Sequence, residues 1–332
     1  MPDSVRDRIH DYLEDAIAAE RNFEDALHAF GNAGVQEPVR ALLASVGDKA
    51  RTQHQRLTAL LEQRGGSPSA AKSAVAHMLA FSPLAAQAGH EPGAKNTQHL
   101  VVSYAAAAAE RAMYESLAEA ATEGGETAVA TLARQLQSEE MDDAQQVWTL
   151  LRPSARNAFR EIVGRRRAPI DILKTYLEDI IAAEKTFEAQ LTGFSKEDDD
   201  PAAQQVFAQH ARDTHTQFER LTARLQSLGG SPSTAKSALA HVFALAPAAA
   251  QTGHHAIERT TENLIMAYSV ENAEVAMYEV FVTVAADAGD RETEQLALEI
   301  QKQQKETADK LWKLVGPAAR RSIQQVSLRK AS

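Results

Sequence analysis

The chain consists of one unit of about 160 residues that occurs twice. A shift of 164 residues aligns the two halves without a visible gap. Residues 12–27 match residues 176–191, and residues 65–77 match residues 229–241. Each unit is long enough to bury a core of its own, so the repeat predicts two domains of the same fold rather than a solenoid of small repeats.

The boundary between the two units is predicted within residues 164–169. Gly164 can end a helix, and Pro169 cannot continue one. The three arginines between them, at 165–167, are the one basic cluster of the chain and are interpreted as a solvated linker. The predicted domains are therefore residues 1–164 and 165–332.

Hydrophobic periodicity predicts that both units are all-α. Apolar residues recur at three- and four-residue spacing, and alternating strand patterns are nearly absent. A link of some 30 residues joins the second helix of each unit to the third, which is typical of the crossover in ferritin-like four-helix bundles. We predict two such bundles in tandem, with extra short helices. In the first unit the predicted helices are 3–30, 37–64, 94–123 and 126–151, with short ones near 69–80 and after Pro153.

Composition excludes several classes of site and partner. The chain has no cysteine, which excludes disulfides, thiolate zinc sites and cysteine nucleophiles. A net charge of −10 argues against a nucleic-acid partner. No apolar stretch approaches the roughly 20 residues of a membrane span, and the N-terminus is charged. We therefore expect a cytoplasmic protein with neither nucleic acid nor membrane as partner.

Polar residues interrupt the inward-facing apolar stripes of the second unit at mid-helix. They come from three helices, and their spacing places each on the same face as its apolar neighbours. Buried acids repel one another unless cations or hydrogen bonds compensate them, and a pair of divalent metals is the usual solution in such bundles. The predicted ligands are Glu184, His210, Asp213, Glu271 and Glu274.

The first unit carries a related but different set. Glu20, Glu110, Glu140 and Asp143 lie on its inward stripes, with no histidine among them. Lys49 stands where the second unit has Asp213. We hypothesise that the Lys49 ammonium replaces a metal there, which makes the second unit the preferred site for one or two iron or manganese ions.

Several motifs resemble one bacterial protein family along nearly the whole chain. The segments AAEKTFEAQL, HARDTHTQFERL, GGSPSTAK, VENAEVAMY and KETADKL are similar to the YciE/YciF-like stress proteins, a branch of the ferritin-like superfamily. The resemblance implies single bundles that form dimers, with metal-type carboxylates in the bundle core. It places on the family's acid and histidine positions Glu184, His210, Asp213, Glu271 and Glu274 of the second unit and Glu20, Glu110 and Glu140 of the first. The chain departs from the family pattern at Val46, Lys49, Ala107 and Gln304.

Two functions of different classes follow. The first is a stress-associated metalloprotein whose second unit handles iron or manganese with oxygen or peroxide. The second is a metal-free structural or interaction protein, a fused pseudo-dimer of degenerate bundles. In both, the two units pack as an intramolecular pseudo-dimer, with a higher homo-oligomer left open, and the pattern assigns no catalytic residue.

Overall fold

The computed structural model describes residues 4–32, 36–69, 92–232 and 258–331. Within these ranges the chain is all-α and contains no strand, so the predicted fold class is confirmed. None of the described helices is both long and apolar enough to cross a membrane. The helices are α1 (Val5–Asn32), α2 (Val39–Gln63), α3 (Pro92–Glu123), α4 (Thr127–Gly164), α5 (Pro169–Glu197), α6 (Pro201–Ser227), α7 (Arg259–Asp287) and α8 (Arg291–Ala331).

Each copy is a four-helix bundle in which α2 and α3, or α6 and α7, run in the same direction. In the first copy, contacts near both ends of each helix pair show that α1 is antiparallel to α2 and to α3. They also show that α3 is antiparallel to α4. The end of α2 and the start of α3 therefore lie at opposite ends of the bundle, which agrees with the long link between them. The short helix predicted near 69–80 and its copy fall within 70–91 and 233–257, which lie outside the described residues.

The separate helix predicted after Pro153 is wrong, because α4 continues through this proline to Gly164. An internal proline removes one helical hydrogen bond and costs about 3 kcal/mol. Burial on its C-terminal side compensates that cost: Ala155, Phe159 and Ile162 are all in the core. The equivalent helix α8 likewise passes through Pro317. Tertiary packing thus overrides the local signal for a break.

The two copies pack against each other through α3 and α7, with α4 and α8 alongside. At the centre, the Ser269 hydroxyl donates to the carbonyl of Ala105 at 3.1 Å. These residues are 164 apart and so occupy the same position in the two copies. Contact between equivalent positions is what a two-fold, isologous interface produces.

Charged pairs flank this contact on both sides. Arg156 of α4 lies 3.3 Å from Asp287 of α7, and its equivalent, Arg320 of α8, lies 3.2 Å from Glu119 of α3. Near the end of the interface, Arg8 of α1 pairs with Glu258 at 2.6 Å, and both side chains are almost fully buried. Removing one member of this last pair should cost more stability than removing one of the others, since a buried charge that loses its partner is left uncompensated.

We predict that Arg8→Met lowers the free energy of unfolding by about 3 kcal/mol, because Glu258 would remain buried without its cation. Urea unfolding followed by circular dichroism measures this change. The double variant Arg8→Met, Glu258→Gln should recover most of the loss. A single variant as stable as the parent would contradict the prediction.

Candidate metal centre

In the first copy, three glutamates from three helices meet at mid-bundle. Glu20 of α1, Glu110 of α3 and Glu140 of α4 each bring a carboxylate oxygen to within 4.8 Å of the other two. All three side chains are buried. The sequence predicted these residues for one layer, and the structure brings them together.

In the second copy, the group contains a histidine and two glutamates from two helices. Ligand atoms of His210 on α6 and of Glu271 and Glu274 on α7 lie within 4.8 Å of one another. Glu271 and Glu274 are three residues apart and so share one face of α7. His210 is in direct contact with the Glu271 carboxylate. All three predicted ligands are buried and adjacent.

Glu184 of α5 borders the second-copy group and is held by a tyrosine. The Tyr278 hydroxyl donates to Glu184 Oε1. Burial raises the pKa of Glu274, and the charge of Glu184 raises it further. In the first copy, the Tyr114 hydroxyl donates to Glu20 in the same way. The repeat has therefore kept one tyrosine–glutamate hydrogen bond in both bundles.

Two of the predicted acids are not members of these groups. Asp213 of α6 is only partly buried and accepts a hydrogen bond from Gln209 at 2.9 Å. Asp143 of α4 is buried but pairs with Lys49, and it also accepts from Gln146 at 3.0 Å. Lys49 therefore contacts Asp143 rather than the three glutamates.

Two glutamines that sequence reasoning missed contact the helix-4 position of each layer. Gln53 donates to Glu140 at 2.9 Å, and its equivalent, Gln217, donates to Gln304 at 3.3 Å. Gln304 in turn donates to Glu274 Oε2 at 2.6 Å. The signal was present, because the same glutamine stands on the inward stripe of both copies.

Several buried ligand atoms have no hydrogen-bond partner in the described part of the chain. Buried polar atoms are normally satisfied, and each one left unpaired costs about 1–3 kcal/mol. Carboxylate oxygens and imidazole nitrogens are ligands for divalent metals, so these atoms fit such an ion. The unpaired atoms are Oε2 of Glu20, Oε2 of Glu184, Nδ1 of His210, Oε2 of Glu271 and Oε1 of Glu274, while the Glu110 and Glu140 carboxyls have each other as partners.

Burial raises the pKa of every glutamate in both groups. The pKa of Glu140 rises to about 8, with the charge of Asp143 adding to burial and a hydrogen bond from Gln53 opposing it. The pKa of Glu184 also rises to about 8, although Tyr278 opposes the shift. Burial raises the pKa of Glu271, against the attraction of His210. Without a cation, the raised pKa values favour the neutral form of Glu140 and Glu184 near pH 7.

Both copies match one family model, described as a domain of unknown function (DUF892), over residues 4–159 and 168–324. The chain belongs to this family and contains its domain twice. None of the curated proteins or solved structures compared with the chain matches it.

The raised pKa of Glu184 predicts a pH dependence of stability in the metal-free protein. The folded state keeps a proton that the unfolded state releases above its ordinary pKa of 4.5, so this contribution is lost as pH rises towards about 8. Glu184→Gln removes the ionisation. Its melting temperature in chelator, minus that of the parent, should therefore increase from pH 5 to pH 8.

Glu62→Gln, on an exposed position of α2, is the matched control and should give a pH-independent difference. A pH-independent difference for Glu184→Gln as well would contradict the assignment.

Proposed function

We propose that this two-copy member of the family is a ferritin-like metalloprotein of the YciF-like, stress-associated type. Its second copy would bind one or two iron or manganese ions. The observation that supports this most is the buried group of His210, Glu271 and Glu274, whose ligand atoms lie within 4.8 Å of one another. No lysine or arginine pairs with these three among the described residues. A metal ion would supply the missing positive charge.

The donor set favours a transition metal over a hard alkaline-earth ion. Imidazole nitrogen with carboxylate oxygen suits iron and manganese, whereas magnesium and calcium take oxygen almost exclusively. Glu184 would complete the set from α5, since its free Oε2 is buried beside Glu274. Asp213 would join only by a change of position, because it lies at the partly exposed margin of α6.

The bound ions would supply redox chemistry with oxygen or peroxide, and the chain's own residues would prepare the site. Tyr278 holds Glu184 Oε1, and Gln304 holds Glu274 Oε2, so each carboxylate keeps one oxygen oriented and the other free. The raised pKa values mean that these acids release protons when a cation binds. Affinity should therefore rise with pH, and the surrounding bundle excludes bulk water.

A second function, that of a metal-free structural protein, is favoured by one observation in each copy. Gln304 stands where the first copy has Glu140, and Lys49 already neutralises Asp143. In this alternative the acids stay protonated, and the fused bundles act only through their surfaces. Metal content separates the two functions.

We predict that protein loaded anaerobically with Fe²⁺ or Mn²⁺ retains about one or two ions per chain after gel filtration. Elemental analysis counts them. His210→Ala and Glu271→Gln should each lose the ions, because they remove ligands from the buried group. Glu110→Gln in the first copy should leave the count unchanged.

His215→Ala is the matched control, since His215 lies on the same helix but is exposed and pairs with Glu188 and Glu219. It should retain the ions. A chain that holds no metal in any preparation would contradict the metalloprotein and support the structural alternative.

A further inference from the structure

A surface cavity opens between α2 and α4 of the first copy, above its three glutamates. The cavity has a volume of about 370 Å³. Its lining consists of Ser45, Asp48, Lys49, Thr52 and Glu139. Two of these residues connect it with the buried layer, because Lys49 pairs with Asp143 and Glu139 accepts a hydrogen bond from Gln53.

Lys49 forms the boundary between this cavity and the interior. Its side chain is 42% exposed on the cavity side, while its ammonium pairs with Asp143, which is 1% exposed. Asp143 lies three residues after Glu140 on α4, and both are buried, so Asp143 shares the inward face of that helix beside the buried layer. A cation moving inward from the cavity would meet the Lys49 charge first.

Gln53 closes the same boundary beside Lys49. Its side-chain amide donates both to Glu139, which lines the cavity, and to Glu140, which belongs to the buried layer, at 3.1 and 2.9 Å. Behind it, the buried Glu110 carboxyl has the Glu140 carboxyl as its hydrogen-bond partner, while Oε2 of Glu20 has none among the described residues. The first copy thus has a buried oxygen site with an unused ligand atom behind a positively charged boundary.

The second copy reverses the charge at this position. Asp213 stands where the first copy has Lys49, and Thr307 stands where it has Asp143. Asp213 is partly exposed, and Thr307 donates its hydroxyl to the carbonyl of Gln303 at 3.1 Å. The boundary of the second copy is therefore acidic and contains no equivalent of the Lys49–Asp143 pair.

We propose that Lys49 closes the first-copy site to divalent cations, whereas the second-copy site, with Asp213 at the same position, has no such positive barrier. The chain is then an unequal pair, with one closed and one open metal site. This inference rests on the proposed function for the second copy. A fixed positive charge repels an incoming cation and occupies the carboxylate that would receive it, while an acid at the same place raises the local cation concentration.

The test is Mn²⁺ binding to the full chain, with free Mn²⁺ counted from its electron paramagnetic resonance signal. In the parent, all bound Mn²⁺ should be lost on Glu271→Gln. Lys49→Asp should bind about one further ion per chain, with an affinity on the order of 10- to 100-fold above that of the parent's first copy. Asp213→Lys, the reciprocal change, should weaken second-copy binding.

Two further variants test where the additional ion binds and whether loss of the Lys49 charge is its cause. Lys49→Asp combined with Glu110→Gln should lose the gained ion, which places that ion among the three glutamates. Lys49→Met removes the charge without adding an acid, and it should also bind one further ion. It therefore tests the inference even where Lys49→Asp fails to fold. Circular dichroism checks each fold.

The outcomes separate this inference from the proposed function. If the parent binds Mn²⁺ through Glu271 but the folded Lys49 variants bind no further ion, closure by Lys49 is overturned and the proposed function stands. Gain in the Lys49 variants without binding in the second copy would support the closed site and contradict the proposed function. A parent already loaded in both copies would overturn the closure.

Discussion

The burial of several carboxylates in the middle of each bundle is the constraint on which the rest of the structure depends. Ionised acids are strongly disfavoured where water is excluded, so each must be protonated, hydrogen-bonded or paired with a cation. These acids accept hydrogen bonds from the hydroxyls of Tyr114 and Tyr278 and from the side-chain amides of Gln53 and Gln304. The oxygens left unpaired are the atoms that a metal would take.

The interface between the copies and the buried layers share the same helices. On α3, Glu110 points into the first-copy group, while the next residue, Arg111, crosses to the second copy. Arg111 donates to the Tyr268 hydroxyl at 2.9 Å and lies 4.0 Å from the centre of the Trp312 ring. Tyr268 precedes Glu271 by one helical turn on α7. The helices that join the two bundles therefore also carry acids of both buried groups.

The sequence was sufficient for the fold and for most of the acids because both depend on helical periodicity. An acid on an apolar stripe, such as Glu20 or Glu271, must face the core once the helix packs. The sequence predicted an ion pair between Lys49 and the first-unit acids. Rotation and side-chain reach are not encoded in the spacing, so the partial exposure of Asp213 and the choice of Asp143 as the partner of Lys49 could not be predicted. The continuity of α4 through Pro153 depends on distant packing and was equally out of reach.

Anomalous X-ray diffraction at the manganese edge, on crystals grown with Mn²⁺, tests the central claim most directly. The account predicts a peak between His210, Glu271 and Glu274, and none between Glu20, Glu110 and Glu140 in the parent chain. A second-copy layer without a peak at saturating Mn²⁺, with its acids hydrogen-bonded to one another, would contradict it.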